Sequence, residues 1–103
     1  MFKNGMQPVH PGELLQEDFL KPLGMSANAL AKALHVPTPR ISEVVRKRRG
    51  LSTDTAMRLA RHFGGDARSW LNLQTAYDLR IAEISSAKRI VREVSPSAAA
   101  GAS

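Results

Sequence analysis

Six cations crowd the stretch from residue 26 to residue 50: Lys32, Arg40, Arg46, Lys47, Arg48 and Arg49, opposed by Glu43 alone. Residues 1–25 sum to −1, and residues 51–70 and 71–103 to +1 each, so nearly all of the +6 net charge sits in that one block. A concentrated positive patch is the footprint of phosphate binding. A solvated face that keeps the chain soluble is the plainer reading, but four adjacent cations at 46–49 repel one another and call for a compensating partner. Beside them stand groups that can read base edges. Arg40 can pair bidentately with a guanine edge, Glu43 can accept from a cytosine amino group, and Thr38 can touch a base or a thymine methyl. Pro39 offers apolar contact or shape. Arg46, Lys47, Arg48 and the N–H groups of a helix starting after Ser26 are seats for phosphates.

Other chemistries find no support. Cysteine is absent, which removes disulfides, thiolate zinc sites and cysteine nucleophiles together. His10, His35 and His62 lack metal-ligand spacing and read as surface or turn residues. Ser42 has no base beside it at helical spacing, and there is no glycine-rich phosphate loop. The reading is a binding protein without catalysis, cofactor or metal. No apolar run approaches the roughly 20 residues that span a bilayer, and the N-terminal residues form no continuous apolar stretch. A soluble cytoplasmic protein is expected. With 103 residues and no covalent staple, the core must come from helix packing or a partner subunit.

The elements that must hold these groups are all helical. Residues 1–10, with Gly5 and Pro8, read as an arm. Pro11 starts a first helix with Leu14, Leu15 and Phe19 inward, ended by Pro22 and Gly24. Ser26 caps a second, in which Leu30, Ala31 and Leu34 share a face. Thr38 is expected to cap a third, with Pro39 as its first helical residue and Ile41, Val44 and Val45 as its apolar side. Ser52 or Thr53 caps a fourth, with Ala56, Leu59, Ala60 and Phe63 inward and Gly64 at its end. Asp66 caps a long fifth helix, and residues 95–103 read as a disordered tail. The chain is therefore expected to be all-α, with residues 11–94 forming one DNA-binding and dimerisation domain.

The second and third helices have the length and short turn of a helix-turn-helix. Ala31 is small where the two must approach, and Val36 plugs the turn. Thr38, Pro39, Arg40, Ser42, Glu43, Arg46 and Lys47 are left facing outward. Here the sequence resembles a known family. His10-Pro11-Gly12-Glu13, Val36-Pro37, Arg40-Ile41-Ser42-Glu43 and Trp70-Leu71-Asn72-Leu73-Gln74, within residues 8–84, are together similar to the HigA branch of the Xre-type (lambda-repressor-like) helix-turn-helix antitoxins. The resemblance implies a five-helix DNA-binding domain with an extended C-terminal helix. Such a protein dimerises, represses its own operon from double-stranded operator DNA and neutralises a RelE/HigB-like mRNA endonuclease toxin. It also implies base-facing roles for Thr38, Pro39 and Glu43, and places Ser26 and residues 46–48 near phosphates. Two positions depart from the pattern: His35 stands where the turn commonly has glycine, and Arg46-Lys47 replaces an Asn-Gly that commonly ends the recognition helix.

The fifth helix carries an apolar seam at steps of three and four: Trp70, Leu73, Tyr77, Ile81, Ile84, Ala87, Val91 and Val94. Trp70 and Leu73 read as intrachain core. Tyr77, Ile81, Ile84 and Val91 are assigned to a dimer or partner interface, because the rest of so small a domain cannot cover a seam beyond about Ile81. Glu13, Glu17 and Asp18 trim the first helix dipole or meet a basic toxin, as could Phe2 and Met6 in the arm. Two other functions remain open at this point: a stand-alone or phage-type repressor without a toxin, and an adaptor whose basic face meets an acidic protein.

Overall fold

A computed structural model describes residues 8–98, which fold into five helices with no strand among them. The first, α1, is α-helical over Pro11–Leu15, widens into a π-helix over Gln16–Leu20 and closes with an α turn at Lys21–Leu23. α2 spans Ala27–Leu34, α3 Thr38–Val45, α4 Thr53–Phe63 and α5 Ala67–Glu93. The expected all-α architecture with a long C-terminal helix is the one observed. The arm up to residue 7, with Phe2 and Met6, and the tail from residue 99 lie outside the described residues.

Helix starts follow the sequence signals. Ser26, Ser52 and Asp66 sit in extended backbone, and their side-chain oxygens accept from the N–H groups of Ala29, Thr55 and Ser69. Gly24, at φ 63°, ends α1 in the left-handed conformation that glycine adopts without penalty. His35 takes the same conformation at φ 59°, and the Val36 N–H closes the turn on the Ala31 carbonyl at 3.0 Å. A side chain here costs roughly 1 kcal/mol, the strain its departure from glycine implies. Lys47 repeats the device after α3, at φ 64°, with the Arg48 N–H bonded to the Glu43 carbonyl at 2.8 Å.

One core joins the helices. Leu15 and Leu20 of α1, Leu30, Ala31 and Leu34 of α2, Ile41 and Val44 of α3, Ala56 and Leu59 of α4 and Trp70 of α5 are all buried. Phe19 bridges α4 and α5, with its ring centroid 4.7 Å from that of Phe63 and 5.3 Å from that of Trp70.

Four details differ from expectation. The π-helical stretch in α1 ends two residues before Pro22, whose ring would collide with the Asp18 carbonyl in a regular α-helix; the Lys21 N–H bonds to the Gln16 carbonyl. α3 begins one residue early: Pro37 is its N-cap, Thr38 its first residue and Pro39 its second. The Thr38 hydroxyl does not cap α3, because Thr38 is itself the first helical residue; the hydroxyl donates to Asn28 Oδ1 at 2.6 Å. His10 is a buried capping residue, not a surface one: only 4% exposed, it accepts the Gly12 N–H at Nδ1 over 2.9 Å. Burial, and then the Lys47 charge, holds its pKa below the ordinary histidine value, which suits a ring nitrogen that must stay unprotonated to accept. Leu73 is 37% exposed and stands outside the buried core.

The close approach that fixes α3 is at Gly12. A Cβ built there would overlap the Val44 carbonyl oxygen and lie 2.7 Å from its carbon. Only glycine lets the first turn of α1 rest on the last turn of α3. Gly12→Ala is therefore expected to destabilise the fold by at least about 3 kcal/mol. Urea unfolding followed by circular dichroism measures it, and a midpoint equal to that of the parent chain contradicts the contact.

Candidate nucleic-acid interface

α3 is wedged between α2 and the first turn of α1, with Ile41 and Val44 buried on its inner side. Its outer side carries the residues expected there. Pro39, Arg46, Lys47 and Arg48 are exposed, while Thr38, Arg40, Ser42 and Glu43 are half-buried along the same face. Ser26 lies exposed at the start of α2, its Oγ 3.0 Å from the Ala29 nitrogen. The remaining N–H groups of that first turn are the type of donor a phosphate takes.

Two of these side chains are tied to neighbouring helices, one on each flank of α3. Thr38 donates to Asn28 on α2. Arg40 reaches α4, where its Nη1 lies 2.6 Å from Asp54 Oδ2. The same oxygen accepts from Arg58 Nε at 2.8 Å, and Arg58 Nη1 donates to the Leu34 carbonyl oxygen at 2.9 Å. The Arg58 hydrogen bond, then the Arg58 and Arg40 charges, hold the Asp54 carboxyl below the usual carboxylate range. It stays ionised wherever DNA binding would be measured.

The cation run is compensated in part. Lys47 Nζ lies 3.1 Å from Glu13 Oε1 on α1, and Arg49 Nη2 lies 3.1 Å from Glu43 Oε1. Such exposed pairs contribute about 1 kcal/mol or less, so a polyanion can displace them. Arg46 and Arg48 make no ion pair among the described residues. The loop that follows is pinned by Gln74 of α5, whose Oε1 accepts the Leu51 N–H at 2.8 Å and whose Nε2 donates to Asp78 at 2.9 Å. The site thus presents an arginine and two small polar groups along α3, with loosely paired cations past its C-terminal end. It can neutralise phosphates and hydrogen-bond base edges. Among the described residues, no group of His, Asp or Glu is arranged to hold a metal ion, and no helix is long and apolar enough to cross a membrane.

The residues assigned to a partner interface lie elsewhere, on α5. Tyr77 is half-buried against His10 of its own chain, their ring centroids 4.8 Å apart. Ile81, Ile84 and Val91 are uncovered, Val91 being 78% exposed. α5 runs out from the bundle and gives the molecule its 53 Å long axis.

Sequence reasoning missed Asn28, Asp54, Arg58 and Gln74. The spacing of Asp54 and Arg58, four apart on one helix, signals their pairing. Nothing local signals that Arg40 or Thr38 joins them, because those contacts span 14 and 10 residues.

The sequence profile of the Helix-turn-helix family matches residues 17–70. The chain is 65% identical to virulence-associated protein I of Dichelobacter nodosus over 81 residues, 79% of this chain and 75% of the relative. It is similar in structure to antitoxin GraA, with a TM-score of 0.88 and 47% identity, covering 90% of this chain and 100% of that one. It is also similar to Pseudomonas aeruginosa antitoxin HigA, solved with the higBA promoter, with a TM-score of 0.84 and 43% identity, covering 87% and 98% of the two chains.

Arg40 lies half-buried on α3 and Arg48 lies exposed beyond its end. Arg40→Ala is expected to weaken binding to a specific site more than to scrambled duplex, and Arg48→Ala to weaken both about equally. Gel-shift titrations of both variants on both duplexes check this, and identical specificity ratios would sink the role given to Arg40.

Proposed function

The chain belongs to the Xre-type helix-turn-helix family, in its HigA antitoxin branch, and from that premise we propose that it is the antitoxin of a type II toxin–antitoxin module. It acts in the cytoplasm as a binding protein, not an enzyme. As a homodimer it occupies operator DNA and represses its own operon, and it binds and neutralises a RelE/HigB-like mRNA endonuclease.

One observation carries the reading: α3 displays Thr38, Pro39, Arg40, Ser42 and Glu43 outward, with Arg46, Lys47 and Arg48 at its C-terminal end. Base-edge groups on the helix and phosphate-binding cations at its end are what sequence-specific DNA recognition requires. The similar HigA of Pseudomonas aeruginosa was solved with promoter DNA. Ser26 at the start of α2 supplies a further phosphate seat.

Dimerisation draws support from the uncovered apolar residues Ile81, Ile84 and Val91, which continue the seam that Tyr77 begins. A two-fold pair of such helices would set two copies of α3 about one DNA turn apart. Toxin binding draws support from the antitoxin relatives and from the acidic side of α1, where Glu17 and Asp18 are exposed. The test is purification of the tagged chain from its native locus. The expected result is co-purification of the product of an adjacent gene, one that halts growth when expressed alone and is tolerated when this chain is co-expressed. Recovery of the dimer and DNA alone would establish a stand-alone repressor instead.

A further inference from the structure

We propose that Asp54 is a positioning residue for base reading: it fixes the Arg40 guanidinium on the outer face of α3 and so sets how sharply the protein separates its operator from other duplex. The inference rests on α3 being the base-reading helix.

The physical basis is a chain of hydrogen bonds that starts in the core and ends at the DNA-facing surface. Leu34 is the last residue of α2 and is 4% exposed; its carbonyl oxygen accepts from Arg58 Nη1 at 2.9 Å. Arg58 Nε then holds Asp54 Oδ2 at 2.8 Å, and that oxygen holds Arg40 Nη1 at 2.6 Å. Asp54 is thereby anchored from behind to the rigid helix-turn-helix, and Arg40 is the one member of the chain that lies on α3. A guanidinium offers five N–H donors in a planar fork. With one donor at Nη1 engaged, the guanidinium is held beside Asp54 and other donors remain for the paired acceptors of a guanine edge.

The carboxylate has a second consequence. An untethered arginine must lose its rotamer freedom on binding, and it meets a phosphate of any sequence as readily as a base. A fixed negative charge beside Arg40 discourages phosphate contacts and leaves the guanine edge as its best partner. A purely structural role is the competing account, since an acid in the first turn of α4 also favours the helix dipole. That role affects thermal stability and leaves discrimination between duplexes unchanged.

The test is a double-mutant cycle on the full chain. Affinities of the parent, Asp54→Asn, Arg40→Ala and the double variant are measured by fluorescence anisotropy, on the operator upstream of its own gene and on a scrambled duplex of equal length at one salt concentration. Asp54→Asn is expected to lower the operator-to-scrambled ratio roughly five- to tenfold, without weakening affinity for the scrambled duplex. In the Arg40→Ala background the same change is expected to move the ratio by less than about twofold. Circular dichroism verifies folding, and Arg58→Lys, which keeps the charge but loses the fork, is the second variant should Asp54→Asn fail to fold. The inference is overturned if Arg40→Ala lowers the ratio and Asp54→Asn does not, or if Asp54→Asn lowers it equally with and without Arg40. If Arg40→Ala itself leaves the ratio unchanged, the base-reading role of Arg40 falls, and the inference falls with it.

Discussion

The first turn of α1 rests on the last turn of α3 so closely that position 12 admits no Cβ beside the Val44 carbonyl. Much of the molecule is arranged around that contact. His10 caps the turn and is covered by Tyr77, which ties the start of α1 to α5. Glu13, one residue beyond Gly12, faces Lys47, which closes the end of α3 in a left-handed conformation. Both ends of α3 are thereby defined: its start by Pro37 and the turn at His35, its end by α1. A rigidly held helix loses little freedom when it enters a groove, which is why base-reading groups belong on elements fixed by packing.

Electrostatics then divides the outer face into two kinds of side chain. Arg40 and Thr38 are hydrogen-bonded to Asp54 and Asn28 on other helices, and the Asp54 oxygen that takes Arg40 is also held by Arg58. Lys47 and Arg49 each pair with a single carboxylate that holds no second arginine, while Arg46 and Arg48 project from the same end. Fixed polar groups give discrimination, and mobile cations give strength that falls with salt. On the proposed reading, discrimination would come from the start of this eight-residue helix and salt-sensitive strength from the cations just past its end.

Much of this was legible in the sequence because it is local. Ser26, Ser52 and Asp66 announce helix starts, Gly24 announces an end, and the periodicity of Leu30, Ala31, Leu34, Ile41 and Val44 gives the core. The features that escaped are those where a distant group decides. Thr38 reads as a cap, but the cap position falls one residue earlier, at Pro37, and the Thr38 hydroxyl bonds Asn28 instead. His10 looks like a turn histidine until Tyr77 covers it. Leu73 continues an apolar stripe, yet it stands outside the buried core. The π-helical stretch was implicit in Pro22, whose position shows that the helix must adjust but not how. At the site, residue types and outward placement were readable, whereas the carboxylate partner of Arg40 was not, because it lies on another helix.

The far half of α5 gives the domain an apolar face that it cannot bury by itself, and a two-fold partner would turn one recognition helix into two. The claim that joins fold to function is that this chain reads DNA as a symmetric pair of α3 helices. Hydroxyl-radical footprinting of the DNA upstream of its own gene tests it most directly. The account predicts two protected half-sites related by a dyad, centred about 10 base pairs or a multiple of that apart. A single unpaired footprint, or protection spread evenly over any sequence offered, would contradict it.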